Sequence, residues 1–424
     1  MDIQTEIEKM GRQARSAALA LNKLSTEQKN AILESMANEL LARESEIIAA
    51  NDRDIATAHE TQLTPAMIDR LRLDPVRLAA IADGIRQVAT LPDPVGETLA
   101  DWTRPNGLHI QKVRVPIGVI GIIFESRPNV TSDAAVLCFK TGNATILRGG
   151  KEAISSNIAI ANALIEGGKK QGLPDHAIQL IPFTERESVR AMAEMEQYLD
   201  LIIPRGGKGL IETVVSLARM PVIKHYDGVC HVYVDKEADL AIAKNIVYDA
   251  KTQKPSVCNA LETLLVHEEV AETFLGDTAP VLLNAGVELR ADDRAAKRIG
   301  SDNVTPATEE DWITEYLELI LAVKVVSSID EAIDHINTHG SRHTETIVTN
   351  NDDTATRFLN EIDSACIFHN ASTRFSDGEE FGFGAEIGIS TDKLHARGPM
   401  ALPELTSYKY LIHGTGQIKG QALV

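Results

Sequence analysis

The segment VPIGVIGIIFESRPNVTSDAAVLCFKTGNATILRGGK, residues 115–151, carries the strongest fold signal in this chain. Its apolar run from Gly118 to Phe124 is typical of a buried strand, and Ala144 to Arg148 predicts a second strand. Between them, Ser132 to Lys140 predicts a helix. A strand, a helix and a strand at this spacing predict the beginning of a parallel, doubly wound sheet.

The same alternation continues after this segment. A long helix is predicted from Glu152 to Lys169, and strands are predicted at Ala177 to Phe183 and Leu199 to Ile203. A second alternating series runs from Val229 to His369, with strands predicted near residues 231–234, 263–266, 322–326, 345–349 and 365–368. The chain is therefore expected to be an α/β protein with two doubly wound parallel-sheet domains.

The first ninety residues predict helices, and a strand of a different kind follows them. Ser25 to Gln28 fits a capping box before a helix, and Thr64 followed by Pro65 predicts a second helix start. Leu108 to Val115 alternates strictly in polarity, which predicts a half-exposed strand. A strand of this kind outside the doubly wound sheet indicates a small β oligomerisation arm, so a homo-oligomer is expected.

Length and charge limit the classes of function. At 424 residues the chain is long enough for two domains with full cores. Its 42 Lys and Arg residues against 61 Asp and Glu residues give a net charge of -19. This charge argues against nucleic acid or an anionic membrane as the main partner. An anionic small-molecule substrate would need a local basic pocket.

The cysteines and the first residues indicate a cytoplasmic protein with reduced thiols. Four cysteines without a C-x-x-C pair do not make a disulfide framework. Residues 1–10 are acidic and polar, unlike a secretory signal, and no apolar run approaches the roughly 18 residues of a membrane helix. His225, Cys230 and His231 do not have the spacing of a zinc site, and no metal is expected.

One cysteine lies where a reactive thiol would be placed. Cys258 is between Pro255 and Asn259, after a predicted helix from Asp239 to Lys251 and before an apolar strand. A thiol at such a junction is anchored by rigid elements and can still face a cleft. The other three cysteines lie in apolar runs and are expected to be structural: Cys138, Cys230 and Cys366.

Two glycine-rich turns follow predicted strands. Gly142 to Lys151 ends in two glycines with two cations, and Pro204 to Gly209 repeats the pattern. Backbone N–H groups of Gly206 and Gly207 could hold a pyrophosphate at the start of the next helix. A plain tight turn is the alternative for both segments. A G-x-G-x-x-G fingerprint is absent, because Gly382 to Gly388 has a different spacing.

Four segments together resemble the aldehyde dehydrogenase superfamily: residues 115–131, 140–151, 255–259 and 374–384. The resemblance implies an aldehyde-dehydrogenase-like fold. It implies a cofactor-binding domain at residues 1–100 and 116–225 and a catalytic domain at residues 226–390. Residues 101–115 and 391–424 would form the oligomerisation arm and the C-terminal segment.

The resemblance also assigns roles to single residues. Cys258 would be the nucleophile, and its backbone N–H would stabilise the oxyanion together with Asn129 or Arg127. Arg148 and Lys151 take the positions of a Lys and a Glu that hold the adenosine ribose in the superfamily. A cation in place of that Glu favours a 2′-phosphate, so NADPH is expected over NADH.

Further positions follow from the same resemblance. Glu315 corresponds to the Glu that holds the nicotinamide ribose. Arg127, Arg374 and Lys208 are candidates for the anionic groups of substrate or cofactor. Hydrolytic members of the superfamily carry a Glu upstream of the nucleophile that activates water, and the matching residues 225–228 contain none.

The activity implied is NADPH-dependent reduction of an acyl phosphate through a Cys258 thioester. L-Glutamyl 5-phosphate would become L-glutamate 5-semialdehyde and phosphate, in proline biosynthesis, and glutamate 5-kinase is a candidate partner. The alternatives are another acylating or ordinary aldehyde dehydrogenase, and a nucleotide-binding protein without the chemistry. The absent Glu argues against the ordinary dehydrogenase, and Cys258 argues against the non-enzyme.

Overall fold

The computed structural model describes residues 2–224 and 226–420, and these residues divide into two units. Unit 1 comprises residues 2–224, 383–388 and 400–420 of the described chain, and unit 2 comprises residues 226–382 and 389–399. Each unit has a parallel sheet with helices, as the alternating pattern predicts.

The helices of the described chain are α1 (Ile3–Leu21), α2 (Thr26–Ala42), α3 (Glu44–Glu60), α4 (Pro65–Leu71), α5 (Pro75–Thr90), α6 (Asn129–Lys140), α7 (Ile154–Lys169), α8 (Arg186–Ala193), α9 (Lys208–Leu217), α10 (Leu240–Thr252), α11 (Glu268–Asn284), α12 (Asp293–Ile299), α13 (Ile329–His339) and α14 (Asp352–Glu361). Short 3-10 turns lie at Lys151–Ala153, Ser301–Asn303, Glu309–Ile313, Thr373–Phe375 and Pro403–Leu405.

The strands are β1 (Thr98–Thr103), β2 (His109–Pro116), β3 (Val119–Phe124), β4 (Ala144–Arg148), β5 (Ile178–Leu180), β6 (Leu201–Arg205), β7 (Cys230–Val234), β8 (Leu261–His267), β9 (Glu288–Ala291), β10 (Thr305–Pro306), β11 (Ile320–Val326), β12 (Thr344–Val348), β13 (Cys366–His369), β14 (Ile389–Ser390), β15 (Gly398–Pro399) and β16 (Thr406–His413).

Unit 1 contains the sheet that residues 115–151 predict. Its four strands are parallel and lie in the order β5-β4-β3-β6. β3 and β4 are buried along their whole length, as expected for central strands covered on both faces. The chain passes from β3 to β4 on one side and later reaches β6 on the other side. The loops after β3 and β6 therefore flank the switch point, where doubly wound sheets bind ligands.

The helix starts predicted in the first ninety residues are confirmed. Ser25 Oγ accepts from Gln28 N, and the Gln28 side chain accepts from Ser25 N, which completes the capping box of α2. Thr64 caps α4, with Pro65 at its first position. An N-cap of this kind stabilises a helix by about 1 kcal/mol. α2 then buries its apolar face between α5 and α7.

Unit 2 contains a seven-stranded parallel sheet in the order β10-β9-β11-β8-β7-β12-β13. The five strands predicted for this region are present as β7, β8, β11, β12 and β13. β9 and β10 complete one edge and are not predicted, because they are short and carry polar residues. The central strand β8 is fully buried, which makes it a rigid support for the loop before it.

A separate antiparallel sheet in unit 1 has the order β1-β2-β16. The predicted alternating strand is confirmed as β2, and most of its residues are half-buried. β1 and β16 are its unpredicted neighbours, and β1 is exposed along its whole length. The role of this sheet as an oligomerisation arm stays a prediction.

The boundaries of the two units differ from the expected domain boundaries at two short segments. The sequence places residues 383–388 in the catalytic domain, whereas they belong to unit 1, where Ile387 N donates to Met400 O. The sequence places residues 391–399 in the C-terminal segment, whereas they belong to unit 2, because β15 pairs with β14. The functional names of the domains stay predictions.

Candidate active site

Cys258 lies in the loop between α10 and β8, at the predicted helix-to-strand junction. Its side chain is half-exposed and its thiol is free, whereas the side chains of the other three cysteines are buried: Cys138, Cys230 and Cys366. A half-exposed thiol on a loop held by two regular elements can meet a substrate without movement of those elements.

The backbone at residue 228 packs directly on the backbone of Cys258. A Cβ atom on Gly228 would lie 2.0 Å from the Cys258 carbonyl oxygen and 2.7 Å from its Cα, which no side chain tolerates. Gly228 N also donates to the Glu315 carboxylate. Burial raises the pKa of Glu315, and this hydrogen bond opposes the rise. Two predicted site residues, Cys258 and Glu315, are thus connected through one glycine.

The residue after Cys258 anchors another predicted site residue. The buried Asn259 amide donates to the Arg374 carbonyl oxygen over 3.3 Å and to the Ser376 carbonyl oxygen over 2.9 Å. Arg374 is half-buried, and its Nε donates to Gln253 Oε1 over 2.9 Å. Arg374 is therefore bound through its backbone and its side chain to the loop that carries Cys258.

A buried ion pair joins the two ends of the same loop. Lys251 Nζ, in the last turn of α10, lies 2.7 Å from Glu262 Oε2, at the start of β8. Both side chains are 0% exposed. Burial raises the pKa of Glu262 to about 7 and lowers the pKa of Lys251. The sequence alone does not predict this pair, because two residues on either side of a loop share no periodic pattern.

Cys230 is fully buried in β7 beside the Cys258 loop. Its Sγ donates to Cys258 O over 3.2 Å and lies 3.6 Å from His343 Nδ1. Burial raises the pKa of Cys230 well above its usual value and lowers the pKa of His343 to about 4. At neutral pH this thiol is protonated and its histidine neighbour is uncharged. These surroundings support the interpretation of Cys230 as a structural thiol.

In unit 1 the predicted phosphate cradle lies at the switch point of the four-stranded sheet. Gly206 directly follows β6, and Gly207 is the N-cap of α9. The Gly207 N–H donates to Glu125 Oε2 over 2.9 Å, and a Cβ on Gly206 would lie 2.4 Å from the same oxygen. Glu125 directly follows β3. The cradle therefore binds a carboxylate of the chain itself at the place where a phosphate is predicted.

The two cations predicted for the 2′-phosphate have different surroundings. Arg148 is buried, and its Nη2 donates to Thr184 O over 2.9 Å while its Nε donates to Ser188 Oγ over 3.3 Å. Burial lowers the pKa of Arg148, and the nearby Glu152 opposes this change. Lys151 is exposed. A phosphate can meet Lys151 without breaking a buried contact, whereas the Arg148 guanidinium is already engaged.

The loop after β3 holds both candidates for the oxyanion position. Asn129 begins α6, and its Nδ2 donates to Asp133 Oδ2 over 2.9 Å. Arg127 is exposed. Ser126 has a φ of 37°, and its N–H and hydroxyl donate to Glu152 Oε1 over 2.6 and 2.7 Å. These bonds hold the loop in a conformation that is rare for a residue with a side chain. The choice between Asn129 and Arg127 stays a prediction.

The remaining expectations concern the turn at residues 225–228, Lys208 and metals. His225 lies outside the described residues, so the turn is described only from Tyr226 onward. Lys208 is the exposed first residue of α9. Among the described residues, no three His, Cys, Asp or Glu side chains are placed to hold a metal ion. No helix in the described part of the chain is long and apolar enough to cross a membrane.

Known proteins resemble this chain over nearly its whole length. Residues 2–297 match the model of the aldehyde dehydrogenase family. A protein of Agathobacter rectalis named gamma-glutamyl phosphate reductase is 55% identical over 415 residues, which cover 98% of this chain and 99% of that protein.

Solved structures show the same relationship. The crystal structure of gamma-glutamyl phosphate reductase from Thermotoga maritima has a TM-score of 0.96 and 44% identity, and covers 99% of this chain and 100% of that one. An acetylating aldehyde dehydrogenase from Geobacillus thermoglucosidasius shares the fold, with a TM-score of 0.69 at 19% identity, over 99% of this chain and 98% of that one. The predicted aldehyde-dehydrogenase-like α/β fold is confirmed.

Proposed function

Because this chain belongs to the aldehyde dehydrogenase family, and within it to the gamma-glutamyl phosphate reductases, we propose that it reduces L-glutamyl 5-phosphate to L-glutamate 5-semialdehyde and phosphate with NADPH. The reaction is a step of proline biosynthesis. The observation that carries the proposal is the half-exposed Cys258 thiol on a loop anchored to α10 and β8. The other cysteines are buried, so Cys258 is the thiol that a substrate can reach.

Cys258 performs covalent catalysis in this proposal. Its thiolate attacks the carbonyl carbon of the acyl phosphate, the C–O bond to phosphate breaks, and a thioester forms on Sγ. The Cys258 backbone N–H donates to the oxyanion, and Asn129 and Arg127 are the candidates for a further donor. NADPH, when bound, supplies a hydride to a carbonyl of this kind. Cys258 then leaves as a thiolate, which releases the semialdehyde.

The cofactor assignment rests on chemistry at separate positions. We assign the diphosphate to the N–H groups of Gly206 and Gly207, because this cradle already binds a carboxylate. We assign the 2′-phosphate to the exposed Lys151, with the engaged Arg148 as a support for its turn. Glu315, fixed by a backbone N–H, is the proposed acceptor for the nicotinamide ribose hydroxyls.

The remaining assignments concern the substrate, the oligomer and a partner protein. Arg374, bound to the Cys258 loop, is the first candidate for an anionic group of the substrate, followed by Arg127 and Lys208. The antiparallel sheet is proposed to form a homo-oligomer. Glutamate 5-kinase is proposed as a partner, because the acyl phosphate carries an amine that can close a five-membered ring at high effective concentration. Direct delivery from the kinase would protect the acyl phosphate from this ring closure. We place the reaction in the cytoplasm.

The test is oxidation of glutamate 5-semialdehyde by NADP⁺, followed through NADPH formation. Residues 225–228 contain no Glu to activate water, so the wild type should require phosphate. Cys258→Ala should form no NADPH and still bind NADP⁺, and Cys230→Ala should keep its activity. Full turnover without phosphate, or an active Cys258→Ala with an inactive Cys230→Ala, would show that the proposal is wrong.

A further inference from the structure

The Cys258 loop is closed at its base by two charged side chains. Lys251 ends α10 and Glu262 begins β8, and the 2.7 Å contact between Nζ and Oε2 lies where the loop leaves the regular elements. Both side chains are 0% exposed. The pair therefore fixes the distance between the two ends of the segment that carries the nucleophile.

The same pair holds a second segment of unit 2. The other oxygen of Glu262, Oε1, accepts from Leu317 N over 3.3 Å, and Lys251 Nζ lies 5.9 Å from the centre of the Tyr316 ring. Leu317 has a φ of 56°, so its N–H direction depends on an uncommon backbone conformation. These two residues directly follow Glu315, which is the proposed ribose ligand.

Stability alone does not account for an ion pair at this place. Removing two charges from water costs several kcal/mol per ion, and well-packed apolar side chains often replace a buried pair with no loss of stability. An apolar pair, however, cannot accept the Leu317 N–H or fix one distance between two side-chain ends. The specific effect of the pair is therefore on geometry.

We propose that Lys251 and Glu262 are positioning residues that set the place of Cys258 and of the Glu315 segment through one shared contact. The inference rests on the proposed function, in which Cys258 is the nucleophile. Neither side chain touches substrate, because both are fully buried. Their effect on the reaction passes through the loop backbone, and a displacement of about 1 Å at a reacting group can lower a rate about 100-fold.

The experiment compares single and double replacements. Lys251→Met leaves Glu262 without its partner and should lower both the melting temperature and kcat. The double variant Lys251→Met/Glu262→Leu removes both charges and should regain most of the melting temperature. Its kcat should stay at least about tenfold below wild type, since replacing Glu262 also removes the contact to Leu317. Lys251→Arg, which keeps the charge, should restore part of kcat.

A second measurement reads the nucleophile without the complete reaction. The rate at which iodoacetamide alkylates Cys258, followed by mass spectrometry of the Cys258 peptide, depends on the position and surroundings of the thiol. In the double variant this rate should change at least about threefold in either direction, together with the loss of kcat.

Unit 1 offers a matched control. Lys29 and Asp93 form an ion pair over 2.8 Å with side chains 3% and 5% exposed, so the chemistry and burial are similar. Lys29→Met/Asp93→Leu should change the melting temperature and leave the alkylation rate of Cys258 at its wild-type value.

The outcomes separate the inference from the proposed function. Wild-type kcat and alkylation rate in a folded Lys251→Met/Glu262→Leu would overturn the inference. So would an equal change of alkylation rate in the Lys29→Met/Asp93→Leu control. If the wild type lacks reductase activity but the alkylation rate changes only in the Lys251 and Glu262 variants, the positioning of Cys258 is supported and the proposed reaction is overturned.

Discussion

Gly228→Ala should inactivate the enzyme without unfolding it. The added Cβ would lie 2.0 Å from the Cys258 carbonyl oxygen and 2.7 Å from its carbonyl carbon and Cα. These are backbone atoms, so no side-chain rotation relieves the contact. Because real Cβ contacts essentially never fall below 3.0 Å, the two backbones must separate by about 1 Å, which is enough to lower kcat about 100-fold.

The fold should survive this substitution. Overpacking of this kind typically costs about 1–3 kcal/mol, against an unfolding free energy of about 5–15 kcal/mol for a typical domain. The assay is phosphate-dependent oxidation of glutamate 5-semialdehyde by NADP⁺, with kcat and KM determined separately and the melting temperature measured in parallel. The expected result is a large loss of kcat with a melting temperature lowered by a few degrees.

Gly276→Ala is the matched control in the same unit. Gly276 lies inside α11, and a Cβ there meets nothing within 4 Å. Alanine in a helix interior is about 0.5–1 kcal/mol more favourable than glycine, so this variant should be slightly stabilised and fully active. A folded Gly228→Ala with wild-type kcat would refute the argument that the Cys258 loop requires this close backbone approach.

Three further perturbations probe the cofactor residues and the interior of unit 2. Lys151→Glu should lower the preference for NADPH over NADH about tenfold, because it removes the exposed cation, and an unchanged ratio of the two kcat/KM values would contradict this. Glu125→Gln should tighten NADP⁺ binding about tenfold in a fluorescence titration, because it removes a negative charge at the Gly207 N–H. The control Glu212→Gln, on the exposed face of α9, should leave NADP⁺ binding unchanged. Burial lowers the pKa of His335 from 6.5 to about 2, so below pH 6.5 the unfolded chain binds a proton that the folded chain excludes. This group should therefore lower the unfolding free energy by about 1.4 kcal/mol for each pH unit below 6.5. In His335→Gln, the unfolding free energy measured by denaturant titration at several pH values should fall less steeply with decreasing pH.

Local patterns were sufficient to predict most of the elements and the place of Cys258 between a helix and a strand. The apolar run at β3, the capping box at Ser25 and the polar junction around Cys258 are signals carried by neighbouring residues. β9 and β10 have no such signal, because a strand of four residues or fewer at a sheet edge shows neither a long apolar run nor a clear alternation.

Contacts between distant residues were beyond prediction from one sequence. The position of Arg148 at the end of a strand suggests a ligand-facing cation, but its partners, Thr184 and Ser188, come from a later segment. The carboxylate of Glu125 at the Gly207 N–H likewise depends on the neighbouring positions of β3 and β6. Sequence position identifies the candidates here, and tertiary contacts determine which of them are available to a ligand.

The contacts around Cys258 also bear on hydrolysis. A thioester reacts with phosphate rather than with water only if no general base activates water. A carboxyl with a pKa of about 7, such as that of Glu262, would be suited to act as such a base. However, Glu262 is 0% exposed and its two oxygens accept from Lys251 and from Leu317 N, so water has no access to it. The Glu315 carboxylate likewise accepts a backbone N–H. In the proposed reaction, the contacts that hold Cys258 in place also engage these two carboxylates, so a fixed thiol and a thioester that resists hydrolysis would share one structural cause.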